Sequence, residues 1–236
     1  MQIPFVNRWH PVLALRYLPV VKQISKNQSV LEVGSGSLGI GPYLKRPFTG
    51  LDVNFSGPTW PQMQRLKSSA TKIPKPNNSF DVVISMDMLE HLPAQKRQLA
   101  IAEMLRVANK KVIIGIPTGK LAHFQDKQLD QIYQQKHRKH HPFLKEQITF
   151  GLPEKKDILT TIKSAAKANN KTITTSITPN INLKVRFWLM RGWISQNFLV
   201  NIFFRKILIF FIPFLRLFNQ SPVYRHIFII NFKTNE

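Results

Sequence analysis

The tightest constraint in this sequence is a glycine-rich turn set between two short apolar runs. VLEV (30–33) leads into GSGSLGIG (34–41), and FTGLDVNF (48–55) follows as a second short strand carrying Asp52 at its end. VLEV reads as a buried strand. Glycines after a parallel strand let the backbone approach a ligand, and the next helix opens there. An acid at the end of the second strand can hold both hydroxyls of a ribose. The spacing Gly34, Gly36, Gly39 is the G-x-G-x-x-G of dinucleotide sites, so by itself it leaves more than one nucleoside cofactor open.

The rest of the first half continues the alternation. Residues 10–26 have apolar positions near helical spacing, SFDVVISM (79–86) and KKVIIGIP (110–117) read as strands, and the helix between them carries Leu99, Ile101, Ala102 and Leu105. Strand–helix alternation of this kind builds βαβ units on a parallel sheet. Beyond Pro117 the character changes. Residues 118–150 are polar and rich in Gln, His and Lys, as expected of an acceptor-side insertion or lid. Gly151-Leu152-Pro153 is expected to start a helix running to about Ala168, TITTSIT to form a sixth strand, and HIFIINF a seventh. The whole of residues 1–236 reads as one domain, with 184–220 an apolar, basic helical insertion before the last strand.

Glu32 narrows the cofactor. A carboxylate inside a buried strand is costly unless it has partners. The amino group of a cationic ligand, reached directly or through backbone donors and water, gives a reason that a nicotinamide dinucleotide does not. VLEVGSGSLG, GLDV and NSFDVVISMDMLEHLP together resemble the class I methyltransferases, in the broad group that includes ubiquinone-biosynthesis O-methyltransferases and glycan-cluster methyltransferases. The resemblance covers about residues 28–118, and 77–92 is its most specific part. It implies a Rossmann-like, mostly parallel seven-stranded α/β sheet of order 3-2-1-4-5-7-6 with an antiparallel last strand, and S-adenosylmethionine as cofactor. Carried over by position, Glu32, Gly34, Ser35 and Gly36 would line the methionine end, and Asp52 would hold the ribose. Ser69 and Ala70 would lie by the adenine, and Ser85 and Met86 would close the pocket. Two positions depart from the pattern: Leu38 stands where glycine is usual, with Gly39 one residue on, and Ser69 stands where Asp is common.

Methyl transfer from a sulfonium is an in-line displacement, so alignment dominates, and a base helps when an alcohol must lose its proton. His91 is the candidate base, with Asp87 and Glu90 as alternatives. Glu90-His91 could instead cap a helix, or ligate the divalent metal that quinone-type relatives associate with this motif; no metal site is assigned. His137, His140 and His141 lie beside Arg138 and Lys139, at spacings that match no familiar zinc pattern. A solvated basic face and a phosphate-binding edge of the acceptor pocket both remain open for them.

Composition enters through charge. Lys and Arg number 34 against 12 acids, a net +22, and residues 151–236 alone hold 13 basic and 3 acidic residues. Such a field favours anionic partners, although a generally lysine-rich proteome would produce it too. With no cysteine, disulfides and thiol nucleophiles are excluded, cytosine-C5 methylation among them. Residues 198–218 hold Phe, Leu, Ile or Val at sixteen of 21 positions, interrupted by Arg205, Lys206 and Arg216. Central Arg or Lys costs roughly 2.5–3.5 kcal/mol each on insertion, and Pro213 adds a kink. A helix lying in the membrane interface, with Asn201, Arg205, Arg216 and Asn219 as its polar stripe, fits better than a spanning one. A helical cap over the acceptor pocket is the alternative.

The expected function is therefore methylation of a hydroxyl on a lipid-linked or membrane-proximal small molecule or glycan. The expected location is cytoplasmic, with peripheral contact between 184–220 and an anionic membrane. RNA ribose methylation and a non-catalytic membrane-binding module with a relic fold are the competing readings.

Overall fold

A computed structural model describes residues 10–233. Its sheet has the order β3-β2-β1-β4-β5-β7-β6. The strands are β1 (Val30–Val33), β2 (Phe48–Asp52), β3 (Met63–Lys67), β4 (Phe80–Met86), β5 (Ala108–Pro117), β6 (Ile173–Asn182) and β7 (Val223–Phe232). The first five pair in parallel, and β7 runs antiparallel between β5 and β6. The expected architecture and strand order hold.

Alternation along the strands divides the core between two faces. Leu31, Val33, Val83, Val112 and Ile114 pack on one side against α3 (Ala94–Val107) and α6 (Lys155–Ala168), through Ile101, Met104, Leu105, Ile158 and Ile162. Val30, Ile84 and Ile113 face the other way, against α1 (Pro11–Val21), the short α2 (Gly41–Leu44) and residues 184–220, through Leu15, Val20, Tyr43, Leu189, Leu208 and Ile212. Glu32 shares its face with Val30, which sets it against α1.

The sequence does not announce β3. Gln64, Arg65 and Lys67 are exposed, as suits an edge strand whose charges discourage further pairing. Other boundaries move as well. The first helix stops at Val21 rather than near Lys26, and α6 starts at Lys155, after its N-cap Glu154, rather than at Gly151. Residues 118–150 form two helices, α4 (Lys120–His137) and α5 (Pro142–Phe150). Together with α7 (Leu183–Trp193) they enclose a small satellite cluster of Leu129, Leu144 and Ile194.

The apolar segment is broken rather than one continuous helix. It comprises α8 (Phe198–Arg205), a 3-10 stretch (Ile207–Phe211) and α9 (Ile212–Leu215). Lys206 leaves helical dihedrals at φ −126°, ψ −57°, while Pro213 sits in the first turn of α9, where proline is tolerated. The polar stripe does turn inward. Asn201 Nδ2 donates to Trp193 O at 3.0 Å, Arg205 lies over the Trp193 ring, and Asn219 Oδ1 accepts from Ile181 N at 2.7 Å. The apolar side faces solvent: Phe198 and Leu199 are 74% exposed and Phe210 81%. By length and composition Phe198–Leu215 could cross a membrane, but the break at its centre coincides with two charges.

Candidate active site

The glycine turn is built by β1, β2 and one acid. Gly34 N and Ser35 N donate to Leu51 O at 2.8 and 3.1 Å, fastening the turn to β2. Asp52, closing β2, accepts from Gly36 N at 2.7 Å through Oδ2 and from Asn54 N at 3.1 Å through Oδ1. Gly36 has φ +57°, a left-handed conformation natural to glycine, and a side chain there would project into open space. Gly39 needs glycine for a different reason: a Cβ would collide with the Glu32 carboxylate. The position left open by Leu38 is thus filled one residue later.

Glu32 is fully buried. Its Oε1 accepts from Tyr17 OH at 2.8 Å and its Oε2 from Ile40 N at 2.6 Å. Burial nevertheless pushes the carboxyl up to about 7. The acid thus reaches the turn through a backbone donor, and its partners are internal to the protein. Ser85 is buried at the end of β4, and its hydroxyl has no hydrogen-bond partner among the described residues. Ser69 is exposed and pairs with the Thr71 hydroxyl at 2.8 Å, while Ala70 is buried just after it. Met86 is buried against Gly115.

Beyond the carboxyl end of β4 lies a cavity of about 470 Å³, walled by α1, α5, α7, α8 and β7. Ligands of open α/β sheets sit at such strand ends. Asp87 lies at its floor, between Arg16 (2.8 Å) and Arg225. Burial would push the Asp87 carboxyl up, but the two guanidinium groups outweigh it and hold it below the usual range. Arg225 also donates to Asn180 Oδ1 at 2.6 Å, and Asn180 Nδ2 to Leu15 O at 3.1 Å, so one network knits β4, β6, β7 and α1. Glu90 is wholly buried. Burial, with Asp87 adding, drives its carboxyl far above the ordinary range, so it stays protonated. His91 lines the cavity, its Nδ1 2.8 Å from Glu146 Oε2 on α5 and its ring edge-on to Phe143. Arg97 holds the backbone of this 3-10 turn (Leu89–His91), donating to Leu89 O, Leu92 O and Gly151 O.

Residues 31–116 match the family model for a methyltransferase domain. By that match, residues 31–116 are a methyltransferase domain. No curated protein matches it in sequence. Among solved structures it is similar to an S-adenosylmethionine-dependent methyltransferase, possibly acting on histamine, from Thermotoga maritima (14% identity, 97% of this chain, 92% of that one, TM-score 0.54). It is also similar to a methyltransferase of an antibiotic biosynthesis pathway from Anabaena variabilis (12%, 91% and 98%, TM-score 0.53). A third is the 1,6-didemethyltoxoflavin N1-methyltransferase of Burkholderia thailandensis, solved with S-adenosylhomocysteine bound (9%, 94% and 79%, TM-score 0.52). At these identities the likeness is one of fold.

S-adenosylmethionine is the cofactor of the methyltransferase domain, and the turn suits it. The space facing Gly36 is open, the Ser85 hydroxyl on β4, the strand paired with β1, is buried with no partner among the described residues, and Asp52 keeps acceptor capacity beyond its two backbone bonds. Gly34, Ser35 and Gly36 would hold the methionine end, Asp52 the ribose, and Ser69 and Ala70 the adenine.

Of the three acceptor-side candidates, His91 and Asp87 line the cavity. Asp87 is committed to two arginines and Glu90 is a neutral acid that does not line the cavity. The histidine cluster separates: His137 Nε2 is 3.1 Å from Ile194 O, His140 Nδ1 is 2.6 Å from Asp130, and His141 alone lines the cavity. Among the described residues no group of three or more His, Asp or Glu side chains could hold a metal. The sequence does not single out Arg16, Glu146, Arg186 and Arg225 as site residues. A signal did exist for two of them: Arg16 interrupts the apolar face of α1, and Arg225 interrupts a strand that is otherwise buried and apolar.

Proposed function

We propose that this methyltransferase modifies a hydroxyl of a lipid-linked or membrane-proximal acceptor, a glycan or polyprenyl intermediate being the favoured class. The observation that carries this reading is the position of the cavity, beneath α8 and beside the ends of β4 and β7. The helix that roofs it turns Arg205 inward and a bare apolar face outward. An exposed apolar surface of this size marks an interaction site. Lys184, Arg191 and Lys206 rim the segment and complement an anionic bilayer, and Trp188, 47% exposed, suits its interface.

Bound S-adenosylmethionine supplies an electrophilic methyl group on a positively charged sulfur. The residues of this chain do the remainder. The cavity walls orient the acceptor for in-line attack. Glu146 fixes the His91 ring through Nδ1, which leaves Nε2 to accept the hydroxyl proton as the new O–CH3 bond forms.

The test is incubation of the full chain with methyl-labelled cofactor and a membrane extract of its source cells. Label should enter an organic-extractable product, and His91→Ala should reduce that transfer by ~10²–10⁴-fold while binding of S-adenosylhomocysteine persists. Label confined to RNA, or turnover unchanged in His91→Ala, would overturn the reading.

A further inference from the structure

Resting on that reading, we infer that the acceptor carries a phosphate, or an equivalent oxyanion, at the head of an apolar chain, and that Arg205, Arg16 and His141 receive it in the cavity under α8. Charge gives the first argument. Four guanidinium groups line the cavity, those of Arg16, Arg186, Arg205 and Arg225, against the single carboxylate of Asp87. Arg186 is balanced from behind by Asp126 at 2.6 Å, and Arg16 and Arg225 share Asp87. Arg205 has an aromatic partner, the Trp193 ring 5.0 Å from its Cζ, but no anion among the described residues. The field this leaves is felt by His10, whose ring is pushed down to about 4 by burial, then by Arg205, Lys206 and Arg16. A neutral sugar would leave that field uncompensated.

Unmade hydrogen bonds give the second argument. Nε of Arg16, Nε of Arg205 and Nδ1 of His141 are buried with no partner among the described residues. His141 is 8% exposed. Each unpaired buried polar atom is unfavourable, more so on a charged guanidinium. A phosphate, with three terminal oxygens, suits guanidinium donors in number and geometry. The third argument is the route. Arg205 is the last residue of α8, whose outward side chains Phe198, Leu199 and Ile202 are exposed apolar surface. A chain lying along that surface ends at the last turn of α8, where Arg205 turns in to the cavity.

The probe is dodecyl phosphate, compared with neutral dodecyl glucoside and with inorganic phosphate. Each is titrated against the full chain and followed by the emission of Trp193, with Trp193→Phe as the assignment control. Dodecyl phosphate should bind ~10–100-fold tighter than the glucoside, the range for hydrogen bonds to charged groups, and inorganic phosphate should bind more weakly than either alkyl probe. Arg205→Gln should erase the preference and keep glucoside binding. Arg205→Lys should restore part of it, and Lys26→Gln, which removes a distant exposed charge, should keep it whole. Equal affinity for the phosphate and glucoside probes, or an intact preference in Arg205→Gln, overturns the inference. Inorganic phosphate binding as tightly as dodecyl phosphate overturns the lipid source. S-adenosylhomocysteine is titrated in the same preparations. Its failure to bind would sink the methyltransferase reading, whereas failure of the alkyl phosphate alone sinks only this one.

Discussion

Replacing Glu32 by Gln tests whether the acid in β1 is a buttress of the glycine turn or an ionised ligand. Its two oxygens accept from Tyr17 OH and Ile40 N, and an amide can keep both contacts by donating to the tyrosine oxygen and accepting from the backbone. What the amide removes is titration. The folded-state value is raised, so the native protein keeps a proton that the unfolded chain releases. The associated stability is complete below the unfolded value and falls as pH rises towards the folded one. With the carboxyl moved from 4.5 to about 7, wild type should lose about 2 kcal/mol relative to Glu32→Gln between about pH 5 and about pH 7. Urea unfolding of both proteins across that range gives the difference directly. His10, held low by burial, changes stability in the opposite sense but is common to both proteins and cancels. Stability curves that stay parallel from about pH 5 to about pH 8 would show that Glu32 is ionised throughout and that the buttress argument is wrong.

Three further outcomes are expected. Gly36→Ala places a methyl group in the open space at the turn and a left-handed conformation on alanine, so it should lower stability by about 1 kcal/mol. It should also weaken S-adenosylhomocysteine by at least about tenfold (1.4 kcal/mol) in equilibrium dialysis; undiminished affinity would remove the turn from the site. Asp87→Asn leaves Arg16 and Arg225 without their shared anion, a loss of about 3–5 kcal/mol in unfolding free energy, and a change below about 1 kcal/mol would mean water already screens the trio. The exposed pair Phe198→Ser and Phe210→Ser should leave the thermal midpoint near that of wild type and abolish co-sedimentation with vesicles containing anionic lipid. Binding that persists without those rings would place the membrane contact elsewhere.

The glycine turn is legible because its determinants are local. Gly34, Gly36, Gly39 and Asp52 lie within one βαβ unit, and each is required by backbone geometry that short-range spacing encodes. The acceptor half is legible only in part. Its cavity is assembled from α1, the 3-10 turn after β4, α5, α7, α8 and β7, and the key ion pairs join residues 71 and 138 positions apart, Arg16 and Arg225 with Asp87. No periodicity reports a contact of that range. β3 is hidden for a different reason, since MQRLK pairs on one side only and exposes three of its five side chains. In the apolar segment the sequence shows which residues form the polar stripe, but not that the helix breaks at Lys206. Fold-level packing of Leu208 and Ile212 onto the sheet face overrides propensity there.

The three adjacent candidates after β4 show how environment assigns roles that residue type leaves open. Asp87 and Glu90 are both carboxylic acids, both almost without solvent, and only three positions apart. Two arginines keep Asp87 ionised. Asp87 in turn helps burial to keep Glu90 protonated, because like charges that close cannot both be sustained. His91 Nε2 is 4.0 Å from Glu90 Oε1, so it faces a neutral acid rather than a fixed anion. The ring's charged partner, Glu146, sits on the Nδ1 side and is half exposed, where solvent screens it. Moving the Glu90 proton would therefore change the site more than removing Glu146. Glu90→Gln, which imitates the neutral state, should leave turnover within about twofold of wild type at neutral pH, while Glu146→Gln, which loosens only the ring, should lower it by about tenfold, the scale for an outer-shell partner of a functional histidine. A collapse of turnover in Glu90→Gln would show that Glu90 works as an anion and that the charge assignment of the whole trio is inverted.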